Sequence, residues 1–210
     1  MRLFRRRDLP KDLPWSAEGA LSRRQYPDYA SYLAHQKGKL EKTKAIDAYE
    51  RKFQASLSSR LPDVRGLRVL CLGARKGAEV RAFRDARAHA VGVDLNPGTK
   101  NTDVLPADFH HLPFRTGALD AVYSNSLDHA SNLGRLATEI ARVLRADGLF
   151  VLEAVAGSEE GEEPGSYESL FWKRVDDLVA ALEKRGWRPG KQRDFEFPWK
   201  GRQVLFRRPR

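Results

Sequence analysis

The sequence predicts an α/β fold: a doubly wound, mostly parallel seven-stranded sheet with a C-terminal antiparallel hairpin and an N-terminal helical lid. Three observations carry this expectation. From Leu67 onward, short apolar runs alternate with segments of helical periodicity, the pattern of a parallel sheet covered by helices on both faces. The first of these runs, "LRVLCLG", ends on a glycine that opens a loop and then a helix. The last two extended runs, "RDFEFPW" and "RQVLFRRP", are joined across "KG" as a hairpin is.

The elements follow in order. Residues 1–20 hold two prolines and few apolar groups and read as an extended basic arm. Residues 21–62 read as a helical lid, with apolar positions at Tyr29, Leu33, Leu40, Ile46, Tyr49 and Phe53 and a break at Gly38. The sheet domain is expected over 63–210. After "LRVLCLG" come the helix "AEVRAFRDARA", the strand "AVGVDLN", the short strand "DVLPAD" and the strand "LDAVYSNS". "LGRLATEIARVLRADG" sets Leu133, Leu136, Ile140, Val143 and Leu144 on one helical face, with Gly148 beyond its end. "LFVLEAV" is a fifth strand. "ESLFWKRVDDLVAALEKRG" reads as a helix with Phe171, Val175, Leu178, Val179 and Leu182 on one face.

Composition narrows the function. The net charge of +10 sits at the two ends: residues 1–60 hold 14 Lys/Arg against 7 Asp/Glu, residues 201–210 hold four arginines, and the stretch between is near neutral. Such ends either solubilise or touch phosphates. The single cysteine, Cys71, leaves no intrachain disulfide framework, which fits a cytoplasmic protein. No apolar run is long enough to span a membrane, and the basic N-terminus lacks the apolar stretch of a secretion signal.

In an open parallel sheet, ligands bind beyond the carboxyl ends of the strands, where the strand order reverses. Three features fall there. Gly73 to Gly77 form a loop whose glycines permit close backbone approach, and the helix start behind it offers N–H groups to an anion. Asp94 follows Gly73 by 21 positions, a spacing at which an acid accepts both hydroxyls of a ribose. Asp108, in "PADFHHLPF", is placed to accept from an adenine amino group. The loop is not the dinucleotide fingerprint, because Arg75 and Ala78 stand where glycines are needed, and no phosphate-loop Gly-Lys-Ser/Thr is present. The three together describe a pocket for an adenosine without a diphosphate.

On the pieces "VLCLGARKG", "AVGVDLNPG", "ADFHHLPF", "LDAVYSNSLDHA" and "EIARVLRADGLFVLE", the chain resembles the class I S-adenosylmethionine-dependent methyltransferases, of Rossmann-like fold. The resemblance implies that Gly73, Ala74, Arg75 and Gly77 line the methionine and ribose side of the cofactor. It implies that Asp94 and Leu95 meet the ribose, Asp108 and Phe109 the adenine, and Ser124 and Asn125 the methionine part. The family usually has an acid at Cys71 and a glycine at Arg75, so Arg75 or Glu79 is expected to take over contacts to the amino-acid end. Small-molecule O-methyltransferases carrying acid-x-x-acid-His hold a divalent metal such as Mg²⁺. This chain reads Asn125-x-x-Asp128-His129, which leaves the metal open.

Past the fourth strand, Asp128 and His129 are the candidate catalytic pair. His129 is expected as general base, with a basic limb near the pKa of an ordinary histidine, and Asp128 as its partner. His110 and His111 are further candidates. Tyr29, Tyr32, Gln36 and Lys39 are lid residues in reach, and Trp172 is a candidate wall of the acceptor site. The favoured partner is a small-molecule acceptor methylated on oxygen. An RNA substrate and a non-catalytic cofactor-binding domain are the other readings, a membrane partner is not expected, and the oligomeric state stays open.

Overall fold

The computed structural model describes residues 13–39 and 46–209. The expected arm over residues 1–12, the apolar position Leu40 and the side chain of Ile46 lie outside the described residues. The chain runs β1 (Trp15–Glu18), β2 (Leu21–Arg24), α1 (Tyr29–Lys37), α2 (Ile46–Ser58), β3 (Arg68–Leu72), α3 (Ala78–Asp85), β4 (His89–Asp94), β5 (Val104–Pro106), β6 (Leu119–Ser124), α4 (Leu133–Val143), β7 (Leu144–Val155), β8 (Leu170–Trp172), α5 (Val175–Glu183), β9 (Arg188–Phe195) and β10 (Gly201–Arg207). Single 3-10 turns at Leu127–His129 and Ser158–Glu160 follow β6 and β7.

The main sheet has seven strands in the order β5-β4-β3-β6-β7-β10-β9. Strands β3 to β7 pair in parallel, and β10 runs antiparallel to both β7 and β9. Alternate residues of β3 serve opposite layers. Leu70 and Leu72 pack with α4 and α5, whereas Val69 and Cys71 pack with α2 and α3. Burial on both faces explains why β3 is a continuous apolar run rather than an alternating one. Helix α4 is capped by Asn132, whose side chain accepts from the Arg135 amide, and it turns Leu133, Leu136, Ala137, Ile140 and Val143 inward. The chain leaves β3 outward through β4 and β5, then crosses to β6 on the other side. The reversal lies at the carboxyl ends of β3 and β6, the expected place for a ligand.

Two expectations change. The arm and the start of the lid give way to a hairpin, β1–β2, turning at Gly19 with φ of 68°. The expected helix from Glu168 begins only at Val175, because Leu170–Trp172 pair antiparallel with β2, Leu21 opposite Trp172. Trp172 is buried and donates its indole N–H to the Val155 carbonyl at 2.9 Å, so it is a core residue rather than a cavity wall. The guanidinium of Arg24 fastens the hairpin by donating to the carbonyls of Glu168 and Gly165, both at 2.8 Å, and lies 4.7 Å from the Trp15 ring centroid. The C-terminal hairpin forms as expected, with β9 beginning at Arg188. Among the described residues, no helix is long and apolar enough to cross a membrane.

Candidate functional site

A cavity of about 510 Å³ opens at the carboxyl ends of β3, β4 and β6. The sheet supplies one wall: Gly73 and Arg75 from the loop after β3, Asp94, Leu95 and Asn96 from β4 onward, and Phe109. The opposite side is formed by Asn125, Ser126, Asp128 and His129 after β6, by Tyr32, Gln36 and Lys39 in and just past α1, and by the acid-rich segment Glu162 to Glu168.

Gly73 has φ of 64°, and a Cβ there would stand 2.5 Å from the Ser126 Oγ, so the loop can pass only as glycine. Gly73→Ala is therefore expected to cost about 1–3 kcal/mol through left-handed strain and the clash with Ser126. Urea unfolding reads this, and an unchanged midpoint would contradict it. Arg75 holds φ of 46° as a non-glycine, an outlier kept in place by its side chain. Its Nη2 donates to Glu79 Oε1 at 2.5 Å, its Nε lies 3.2 Å from Glu50 Oε1, and its guanidinium sits over the rings of Tyr49 and Phe53. Arg75 thus reaches the cavity already committed to two carboxylates. Burial pushes Glu79 up to about 7, against the pull of Arg75, and its Oε2 has no hydrogen-bond partner.

Asp94 remains open for a ligand. Its Oδ2 accepts from the Arg75 amide at 3.0 Å and its Oδ1 from the Asn96 amide at 2.8 Å, leaving lone pairs on both oxygens for a vicinal diol. Asp108 is differently placed. Its Oδ1 accepts from the His110 amide at 2.9 Å and contacts His110 Nδ1 at 3.0 Å, while Oδ2 accepts from the Tyr29 hydroxyl. Burial works against its charge, but these hydrogen bonds outweigh it and hold Asp108 well below the usual carboxylate range. It ties α1 to the sheet, and the expected adenine contact is not what this arrangement offers.

Three more expected residues lie behind the wall. Ala74 is buried against Gly92, Gly77 caps α3 beside Asp103, and the Ser124 hydroxyl accepts from the Ser126 amide at 3.2 Å. The helix start thought open to an anion is occupied, since Ala78 donates its amide to Glu50 Oε2 at 3.0 Å. His110 is fully buried, and His111 is exposed away from the cavity.

The far end of the cavity gathers Asp128, His129, Glu168 and Lys39. His129 Nδ1 lies 3.0 Å from the Tyr167 carbonyl, which fixes it as the protonated nitrogen and leaves a lone pair on Nε2. Lys39 Nζ stands 2.6 Å from that Nε2. Burial, and then the Lys39 charge, hold His129 down to about 3, so it is a neutral imidazole. The expected histidine-like limb is therefore not its own. Burial instead raises Asp128 to about 6 against the attraction of Lys39, and its Oδ1 has no hydrogen-bond partner. Helix α1 holds this end in place: Tyr32 donates to the His129 carbonyl at 3.2 Å, and Gln36 donates to the Tyr167 carbonyl at 2.6 Å and to Ser169 Oγ at 3.0 Å.

Asp128, His129 and Glu168 place ligand atoms within 4.8 Å of one another. Asn125 belongs elsewhere, donating its amide to Glu79 Oε1 at 3.2 Å. The third carboxylate is thus Glu168, 40 positions downstream in "GEEPGSYESL", where nothing but its acidity marked it in the sequence. Tyr49, Ser126, Phe171 and Trp199 also join the wall through packing that local sequence does not encode.

Comparison with known proteins gives this geometry relatives. A family model described as a methyltransferase domain matches residues 70–152. An uncharacterized methyltransferase of Mycolicibacterium gilvum is 35% identical over 138 residues, which is 60% of this chain and 53% of that protein. The malonyl-[acyl-carrier protein] O-methyltransferase of Legionella pneumophila is 30% identical over 131 residues, 52% of this chain and 46% of that protein. The chain spans about half the length of these curated relatives. The 1,6-didemethyltoxoflavin-N1-methyltransferase of Burkholderia thailandensis, solved with 1,6-didemethyltoxoflavin and S-adenosylhomocysteine, superposes with a TM-score of 0.64 at 17% identity. The match covers 95% of this chain and 100% of that one, and at that identity it speaks for the fold.

Proposed function

We propose that this chain, whose residues 70–152 match a methyltransferase domain, is a class I S-adenosylmethionine-dependent methyltransferase that moves a methyl group from that cofactor to an oxygen of a small molecule. The observation that carries this is one cavity with two chemically distinct ends: a glycine loop and a diol-competent Asp94 at one, and Asp128 beside His129 at the other. When bound, S-adenosylmethionine supplies an electrophilic methyl on a sulfonium, and transfer to a hydroxyl releases a neutral thioether and one proton.

Gly73, Asp94, Leu95 and Phe109 hold the nucleoside part. Arg75 and Asn125 bound the amino-acid end, with Glu79 buried behind them as the acceptor for both side chains. Asp128 takes the proton on its unpartnered Oδ1, and His129, neutral and pinned by Tyr167, fixes that carboxylate's surroundings. Helix α1 and the segment 162–168 act as a cover that keeps water from the acceptor, so alignment and desolvation do the rest.

A small-molecule acceptor is favoured over RNA because Glu162, Glu163 and Glu168 face the cavity and repel phosphate. Oxygen as the target atom accords with the name of the Legionella relative. A cytoplasmic setting belongs to the same proposal. The test is to incubate purified protein with methyl-labelled cofactor and a library of hydroxylated and carboxylated metabolites, with label followed by mass spectrometry. Label on an oxygen of a small molecule is expected. Label on RNA alone would contradict the reading, and bound cofactor without any transfer would mark a non-catalytic domain.

A further inference from the structure

The cluster at the acceptor end has the donor set of a divalent-cation site. Two carboxylates and an imidazole lie within 4.8 Å of one another, a combination that suits a first-row divalent metal. The imidazole is prepared as a ligand: Nδ1 is engaged by the Tyr167 carbonyl and Nε2 presents its lone pair to the cluster. That lone pair is not open, because Lys39 Nζ stands on it at 2.6 Å. Burial works against the Lys39 charge and lowers its pKa, while Asp128 and Glu168 pull the other way and favour the ammonium. An ammonium 2.6 Å from the nitrogen that would ligate the metal occupies the metal's own position, and its charge repels any cation that approaches. The residues therefore do not fit a metal while Lys39 is in place.

We propose that Lys39 is the resident cation of the Asp128–His129–Glu168 cluster, a covalently tethered ammonium that keeps divalent metals out and presents positive charge to the acceptor oxygen in their stead. Two carboxylates beside a single ammonium leave the cluster with a net negative charge, so the ammonium is held without help from solution. An ammonium suits the geometry, since it donates to the imidazole Nε2 and brings its positive charge to the carboxylates beside it. The acceptor such a site selects is one that arrives neutral and whose oxygen develops negative charge as it gives up its proton, such as a phenol or an enol.

The test reads metal binding in protein without cofactor, so it does not depend on the methyl-transfer reading. Mn²⁺ is titrated by calorimetry into the parent, Glu168→Gln, Lys39→Met, Lys39→Arg and the double variant Lys39→Met/Glu168→Gln. The parent and Lys39→Arg should show no Mn²⁺ site. Lys39→Met should gain one, at least about tenfold tighter than any residual binding to the parent, and the double variant should lose it again. An Mn²⁺ site in the parent that Glu168→Gln abolishes would overturn the proposal, because Lys39 would then yield to metal. A folded Lys39→Met, judged by its circular dichroism melt, that gains no site would overturn it as well. The parent titration holds its force even if Lys39→Met fails to fold.

Discussion

Asp128→Asn should lower turnover by about 10²–10⁴-fold, the range for loss of a proton acceptor, while cofactor affinity stays unchanged. The reason is local. Asp128 Oδ1 is buried without a hydrogen-bond partner on the wall of the cavity, and burial has raised the carboxyl to about 6. A base acts in its deprotonated form, so kcat/KM should rise as pH climbs through about 6 and level off above it. That limb should vanish in Asp128→Asn. It should persist in His129→Asn, because His129 is held to about 3 and is already neutral throughout that range. A limb that follows His129 rather than Asp128 in a pH–rate series would show that the roles are reversed.

Glu153→Ala should cost about 3–5 kcal/mol of folding stability, the range for breaking a buried ion pair by removing one partner. Glu153 lies on β7 and is buried, as is Arg60 just past α2. Arg60 donates to Glu153 from Nε at 2.6 Å and from Nη2 at 2.8 Å, Tyr123 donates at 2.9 Å, and Gln203 donates at 2.9 Å. The carboxylate thus joins α2, β6, β7 and β10, and its loss leaves the Arg60 charge buried and unpaired. Replacing both partners, Arg60→Met with Glu153→Leu, should recover only part of the loss: the unpaired charge is gone, but Tyr123 and Gln203 still lose their acceptor. Urea unfolding distinguishes the cases. A loss under about 1 kcal/mol in Glu153→Ala would mean that water reaches Arg60.

The sheet was legible because its strands are buried on both faces. "RVLCL" and "LDAVYS" are apolar regardless of what surrounds them, and α4 carries its own cap and stripe. The small sheet β1–β2–β8 was not legible, because each strand is three or four residues long and the pairing of Leu21 with Trp172 is set by distant chain. "ESLFW" continues the helical spacing of the segment after it, so periodicity alone assigned it to the helix. At the site, Asp94, Asp128 and His129 were readable from their positions at strand ends. Their environments were not. The cap that Glu50 places on α3 is 28 residues away, and Lys39 reaches His129 across 90 residues. A loop acid such as Glu168 looks like any solvated carboxylate until the fold brings it, half-buried, beside Asp128 and His129.

In the proposed function, Asp94 holds an adenosine-based sulfonium cofactor in this cavity. Calorimetric titration with S-adenosylhomocysteine, into the parent and into Asp94→Ala, tests it most directly. The parent should bind in the micromolar range. Asp94→Ala should bind at least about tenfold more weakly, because it loses two charge-assisted hydrogen bonds worth about 1.5–3 kcal/mol each. Absence of binding to the parent, or equal affinity in the two proteins, would contradict the account.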